Sequence, residues 1–545
     1  MNGNGTISEV LQINPLVSNE MKKAIIQWGK MYEGKPAWLH KPDADSPINI
    51  ISLGLPAAIA SEKARTVTLE MKSEITTPTE TVEVENPEYK GEPTVLDNGD
   101  QVIQYPEPQY IKEDKPITDT ARAEFLNEQY QEGVLSVIRR QLEYAVAYGG
   151  MAITPYVVWE ENPEDEDNPK PKFAFDFTQA DSFIPLAFDS TGRITDGAFL
   201  MFKETADCMY IKVERQTYSD GILKIENRAF RNNNVENVRS SLSIYDTPLG
   251  DEISLKEVPE WAGLQPVTEW KGVDRVFFAY FKMPQANTID THSPLGVSGY
   301  ARAVDLIKMA DIQHARLDWE YQASQMMIDV DREIFTEIKN EDGTYKTVLP
   351  ELQERMFRLG DYGDETKYDV FAPTLRDASY LAGLNNLLMR IEDACAISRG
   401  TLSDANETVR TATELKILKQ RTFAENADIQ QSLQRTLEDV VYIMNAYCSI
   451  YNLVGDSPVG EDGKINMSKA GQYEVSFEWD DSIIVDRETE LQQRLRLMDE
   501  GILSKVENRM WWCGETENQA VAALQEIEKT NFDSAMNKIN SRFGE

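Results

Sequence analysis

The chain has 545 residues, enough for several compact units rather than one core, and at 41% hydrophobic residues its composition is that of ordinary globular protein. With 55 basic and 92 acidic residues, its formal net charge is −37. So acidic a chain repels polyanions at long range. This excludes a general nucleic-acid binder held by clustered Lys and Arg on phosphates, and makes solubility the simplest use of the charge.

Cys208, Cys395, Cys448 and Cys513 are far apart and form no CxxC pair. They suggest neither a disulfide framework nor a zinc site, so reduced thiols in a cytoplasmic setting are expected. The N-terminus lacks the basic-then-apolar pattern of a secretion signal. The longest apolar run, 48–60, contains Gly54 and Pro56 and is too short to span a bilayer.

In chain order, 18–32 and 56–75 read as helices, and 76–116 as an acidic, Pro-rich excursion with a turn at Asn98-Gly99. Asp119 is placed as the cap of a long helix to 148, with Phe125, Tyr130, Val134, Ile138, Leu142 and Ala145 on one face. Gly149-Gly150 stops it. From 151 to about 284 the period changes to two. Strands are predicted at 152–158, 172–177, 183–188, 197–203, 209–215, 222–230 and 275–282, as an antiparallel meander. Ser298 is placed as the N-cap of a helix to about 326. A small β-rich piece over 328–376 follows. Then comes a helix capped by Asp377, striped by Leu381, Leu384, Leu388, Ile391 and Cys395, and ended by Gly400.

Residues 401–454 contain no Gly and no Pro. After a polar start, Leu415, Leu418, Ile429, Leu433, Leu437, Val440, Met444 and Tyr447 recur mostly three or four apart. Thr411-Ala-Thr-Glu414 is a capping-box pattern, so the helix is placed from 411 to 451, about 60 Å long at ~1.5 Å per residue. A rod of that length is not expected to bury itself, and reads as the spine of something large. Residues 473–479 read as a strand, with helices at 486–498 and from 505 on.

Enzyme motifs are missing. GxxxxGK[ST], HExxH and GxSxG do not occur, and Gly460 to Lys464 has the wrong spacing for a P-loop. His40, His292 and His314 form no metal spacing. Glu70-Met-Lys72 resembles part of a nuclease signature, but it sits in a stretch read as a solvated helix face. Asp480-Asp481 fits a strand-end turn, or a divalent-cation site. Trp319, Tyr321, Met326 and Met327, and the pair Trp511-Trp512, read as packing residues.

Several local patterns, in order, resemble the portal proteins of tailed bacteriophages, in particular the portal family of phages infecting Gram-positive bacteria. They are YAVAYGG at 144–150 before a strand, ADSFIPLAFDSTG at 180–192, and SPLGVS at 293–298 opening a helix. RTATE at 410–414 follows, then FEWDDS at 477–482 with DEGILS at 499–504. The resemblance covers about 56–527 and fits the Pro-rich excursion least well. It implies an α+β subunit of a homo-oligomer ring, usually about twelve copies, around a channel. Residues 1–290 would be a β-rich wing with N-terminal helices, 291–327 and 377–400 two stem helices, and 328–376 an α/β clip. Residues 401–454 would be a tunnel loop and spine helix, the stripe of that helix a subunit-to-subunit and wing contact made mostly with other copies in the ring, and 455–545 a connector strand and crown helices. The channel at a capsid vertex would pass double-stranded DNA without sequence specificity during packaging and ejection. The implied partners are the terminase large subunit, head-tail adaptor or connector proteins, and major capsid and scaffolding proteins. The chain would be a virion protein assembled in the host cytoplasm, with no catalytic residues, metal, cofactor or membrane.

The implied loop residues are Leu402, Ser403, Asp404, Ala405, Asn406, Glu407, Thr408 and Arg410, with Arg410 and Lys416 as sparse phosphate contacts. The implied clip docking residues are Glu337, Lys339, Glu341, Asp342, Gly343, Tyr345 and Lys346. An electronegative wall around moving DNA would keep friction low. Two other readings remain open at this point. One is a metal-dependent nuclease or hydrolase working through carboxylates such as Asp480 and Asp481. The other is a scaffold protein with no channel.

Overall fold

The computed structural model describes residues 7–10, 16–43, 48–69, 71–85, 110–116, 120–160, 169–239, 244–331, 337–339, 342–347, 357–360, 368–404, 412–454, 473–479, 487–513 and 524. It is an α+β protein of helices and mostly antiparallel sheets. Residues 1–408 with 418–478 form one compact unit, and 409–417 with 479–545 form a second.

In the first unit, helices α1 (Ile7–Val10), α2 (Asn19–Tyr32) and α3 (Leu55–Thr68) precede strand β1 (Lys72–Thr76) and the ribbon of β2 (Thr79–Glu85) and β3 (Tyr110–Pro116). The predicted helix 56–75 is therefore wrong in its last seven residues, about two turns. Thr66 and Thr68 turn their hydroxyls back onto the carbonyls of Glu62 and Ala64, and the helix stops. Beyond it, alternate residues Ser73 and Ile75 are buried, and β1 pairs antiparallel with β18 (Glu474–Glu478), Lys72 opposite Glu478. A partner this distant in sequence leaves no trace in local periodicity.

Helix α4 (Thr120–Tyr130) runs through a π-helical turn, Gln131–Leu135, into α5 (Ser136–Tyr148). Most of the predicted face holds: Tyr130, Val134, Ile138, Leu142 and Ala145 are buried, while Phe125 is half-buried and its neighbour Leu126 is fully buried. Asp119 lies outside the described residues. Seven expected strands are present as β4 (Gly150–Glu160), β5 (Lys170–Gln179), β6 (Phe183–Phe188), β7 (Ile194–Glu204), β8 (Met209–Ser219), β9 (Ile222–Asn232) and β12 (Ala279–Lys282). Strands β6 to β9 form the meander. A short helix α6 (Val235–Arg239) follows, and two short strands the periodicity did not reveal, β10 (Asp251–Ile253) and β11 (Val267–Lys271), both pair with β9. Strand β4 pairs instead with β5 and β12.

Two of the sequence patterns meet in space. The YAVAYGG stretch ends α5 at Gly149 (φ 92°), and SPLGVS runs across it. The amide of Gly299 donates to the Val146 carbonyl (2.8 Å), and Met283 N donates to Gly149 O (3.1 Å). A Cβ on Gly149 would come within 2.8 Å of the Val297 backbone, and one on Gly296 within 2.2 Å of the Gly149 oxygen. Two backbones approach this closely only through glycine. The crossing also corrects the helix start. Ser298 is buried beside α5, and the next helix, α7 (Val304–Ala323), begins after a 3-10 turn, Ala301–Ala303, without a Ser298 cap.

After α7, β13 (Met327–Asp331) lies between β16 (Phe357–Gly360), parallel, and β17 (Tyr368–Phe371), antiparallel. Strands β14 (Glu337–Lys339) and β15 (Tyr345–Thr347) form a hairpin. Helix α8 (Asp377–Ala394) has Arg376 at its N-cap. Asp377 is its first helical residue rather than its cap, and the helix ends six residues before Gly400.

Helix α9 (Ala412–Tyr451) is 40 residues long and begins within a residue of its expected start. Its second half departs from expectation. Ile429, Leu433, Leu437, Val440, Met444 and Cys448 are fully buried in the first unit, and so are Val441, Ile443 and Ala446 on other faces. From Ile443 to Ser449 every side chain is buried, so this end of α9 is a core helix, while Gln431, Arg435 and Glu438 keep one face of its middle exposed. This part of the rod is buried inside its own chain. Arg122, itself buried, holds its C-terminal end: Nε donates to Val454 O (2.7 Å), and Nη1 to Ser449 Oγ (3.1 Å).

The second unit holds helices Arg487–Asp499 and Lys505–Cys513. Ser504 and Glu507 form a capping box, with Ser504 N donating to Glu507 Oε2 (2.8 Å) and Glu507 N to Ser504 Oγ (3.1 Å). The guanidinium of Arg494 lies 4.3 Å from the Trp511 ring centre, which gives one member of the tryptophan pair a packing role.

Candidate functional site

The site begins where α8 ends. Ala396 takes a left-handed conformation (φ 51°), and the chain turns again at Gly400 (φ 91°) before starting the polar loop. Glu392, in the last turn of α8, is fully buried and aims its carboxylate at that start. Oε1 accepts the amides of Gly400 (3.2 Å), Leu402 (2.6 Å) and Ser403 (2.9 Å), and Oε2 accepts the Ser403 hydroxyl (2.7 Å). One carboxylate thus accepts three backbone donors of the turn, of which the Gly400 amide is shared with Ser403 Oγ (3.2 Å), through charge-assisted bonds. Around it, Asp404 N donates to Asn385 Oδ1 (2.9 Å), and Arg399 forks onto Asp393 (2.7 and 3.1 Å).

The same turn is tied to α9. Thr422 Oγ1 donates to the Ala396 carbonyl (3.1 Å) and lies 2.9 Å from Ser398 Oγ. One turn on, Glu425 pairs with buried Lys63 of α3 and accepts from Gln285 Nε2 (2.6 Å). Cys395 lies beside this pair, and burial pushes its thiol up to about 12, so it is an inert core group.

Of the loop residues expected from sequence, Leu402, Ser403 and Asp404 are described. Asp404 is exposed. Ser403 is buried and faces inward onto Glu392, and Leu402 is half-buried, so these two anchor the loop rather than form its tip. Ala405, Asn406, Glu407, Thr408 and Arg410 lie outside the described residues, as do Glu341, Asp480 and Asp481. Lys416 belongs to α9. Sequence reading missed Glu392, Asn385 and Thr422. The only signal was an acid next to the stripe residue Ile391.

A second carboxylate works at the other end of the helix pair. Glu320, near the end of α7, accepts Arg376 Nε (3.0 Å), Nη2 (2.7 Å) and the Arg376 amide (3.3 Å). The bonds from Arg376 hold its carboxyl below the usual glutamate range. They close the base of the β module, where the chain leaves α7 and returns to α8. Within the module, Glu337 faces Thr347, Ile338 faces Lys346 and Lys339 faces Tyr345. Asp342 and Gly343 (φ 88°) form the turn. Asp342 Oδ1 accepts both Thr344 N (3.0 Å) and Oγ1 (2.6 Å), which holds the Asp342 carboxyl below its usual range.

The pair α7 and α8 leaves large apolar side chains uncovered: Met309, Trp319 and Tyr321 on one helix, Leu381 on the other, with Leu375 and Phe371 between. In α8 only Ile391 and Glu392 are buried. Among the described residues no group of three or more His, Cys, Asp or Glu side chains could hold a metal ion, and no helix is long and apolar enough to cross a membrane. No protein-family model and no curated protein matches the chain.

Proposed function

We propose that the chain is a portal-type subunit: one copy of a homo-oligomeric ring at a capsid vertex, through which double-stranded DNA is packaged and later ejected. In this reading α7 and α8 are stem helices, and the β module from β13 to β17 is a clip that docks the packaging motor and then head-tail connector proteins. The loop that starts at Glu392 faces the DNA, and α9 is the helix behind it. The ring form, the partners and the virion location belong to this proposal.

The observation that carries it is the set of large apolar side chains that the α7–α8 pair leaves exposed: Met309, Trp319, Tyr321 and Leu381. In a chain of net charge −37, a helix of 18 residues with two buried side chains has too little cover to be stable alone. A neighbouring copy would supply that cover. The anchored loop root adds support, because a loop that DNA slides past needs a fixed base. A scaffold without a channel accounts for these apolar side chains but gives no use to the buried carboxylate at the loop root.

The functional test is a virion carrying the chain with residues 405–408 deleted, beyond the Glu392 anchor. The expected result is normal particle assembly with packaged DNA reduced at least about tenfold. Normal DNA content in those particles overturns the loop assignment.

A further inference from the structure

A cavity of about 320 Å³ in the first unit lies between the turn before β7, the stretch leading into β12, and one face of α9. Arg193, Arg275, Lys282 and Arg435 line it, against a single carboxylate, Asp439. Glu438 faces the neighbouring cavity on the far side of Arg275 instead. In so acidic a chain this concentration of cations is out of character, and nothing in the channel reading uses it.

The geometry separates two kinds of cation. Arg275 and Arg193 are committed: both reach Asp439 Oδ1, at 2.5 and 3.3 Å, and Arg275 also forks onto Asp274 and stacks on the Tyr442 ring at 3.9 Å. They form a fixed wall. The turn that carries Arg193 is itself fixed, because Asp189 Oδ1 accepts Thr191 N, Thr191 Oγ1 and Arg193 N. Lys282 and Arg435 are uncommitted. Among the described residues, Lys282 reaches only the Pro294 carbonyl, at 3.4 Å, and Arg435, exposed on α9, has no hydrogen-bond or ion-pair partner. The nearby hydroxyls are turned away: Ser432 donates to Lys282 O and Thr436 to Ser432 O. The donors left for a ligand are therefore guanidinium and ammonium groups, and the two carboxylates that offset the four cations, Asp439 in the lining and Asp274 behind Arg275, are both taken up by the wall.

We propose that this cavity binds a phosphate-type oxyanion, with Arg435 and Lys282 supplying the contacts and the Arg193–Asp439–Arg275 group holding the wall. A planar fork and a point charge converging on one small cavity suit a multiply charged tetrahedral group better than a single carboxylate. The phosphate could be free or part of a DNA backbone. The proposal does not rest on the ring reading.

The test uses the full-length purified chain and its Arg435→Gln/Lys282→Gln double variant, with both substitutions at surface positions. Titration with pyrophosphate, followed by calorimetry at constant ionic strength, is expected to give saturable binding to the native chain, weakened about tenfold or more in the variant. A short duplex DNA that competes with pyrophosphate identifies the source as a nucleic-acid backbone. Pyrophosphate binding without duplex competition identifies a free phosphate. Binding that is absent, or equal in both chains, overturns the proposal. So does saturable binding of a polyglutamate peptide where pyrophosphate fails, since that would make the cavity a dock for an acidic protein segment.

Discussion

Glu392 shows what a single side chain does for this fold. It receives three amides and a hydroxyl from the residues that open the loop, and removing it strands those donors in a buried place. Glu392→Ala is expected to raise amide exchange at 400–403 by about tenfold or more, at a cost of about 1–3 kcal/mol, while Glu392→Gln keeps most of the protection. Hydrogen exchange resolved by mass spectrometry checks this, and unchanged protection in the alanine variant contradicts the anchor. Arg122 does comparable work at the end of α9, bonding Val454 and Ser449. Arg122→Met is expected to cost about 1.5–3 kcal/mol in urea unfolding, because charge-assisted bonds to buried partners are lost.

Glu320 allows a pH prediction. Its folded-state pKa lies below its unfolded value, so its bond to Arg376 contributes above the unfolded value, about 4.3, and that contribution is lost as the pH falls through the folded-state value. Exchange within β13 and β17 should therefore rise on acidification below about pH 4.5 in the native chain, and more weakly in Glu320→Gln. Identical profiles would remove Glu320 from the base of the module. At this scale the sequence was least informative. Every anchor here pairs residues through space, and composition marks only their type.

Among elements, α9 and α8 are opposites, although both were read as striped helices. Leu433 of α9 is fully buried in its own chain, and Leu433→Ala should cost about 2–5 kcal/mol. Leu381 of α8 is 46% exposed. Leu381→Ser should leave the unfolding midpoint of dilute monomer within about 0.5 kcal/mol and act instead on self-association. Paired thermal melts and sedimentation of the two variants separate these effects; equal destabilisation by both would deny α8 a face reserved for a partner.

The strands of the meander and most of the face of α4 and α5 were legible because each depends on local period, while Thr411, placed as the cap of α9, lies outside the described residues. The end of α3 was not legible, since β1 forms only when β18 arrives from the far end of the chain. Ser298 misled by position: its hydroxyl accepts the Tyr300 amide (3.4 Å) ahead of the 3-10 turn, and α7 starts only at Val304. The buried half of α9 was misjudged by length. A long helix is not self-burying as a rod, but a chain of this size can wrap one.

For the whole molecule, composition supplies a net charge of −37 and the fold leaves Met309, Trp319, Tyr321 and Leu381 exposed on α7 and α8; the proposed ring would cover those side chains and multiply the charge. The measurement that tests this most directly is negative-stain microscopy of the purified full-length chain, with its mass read in parallel by light scattering. The account predicts closed rings with a central hole and a mass of about twelve subunits. A chain that stays monomeric at high concentration and moderate salt, and also when co-expressed with capsid and scaffolding proteins, would contradict it.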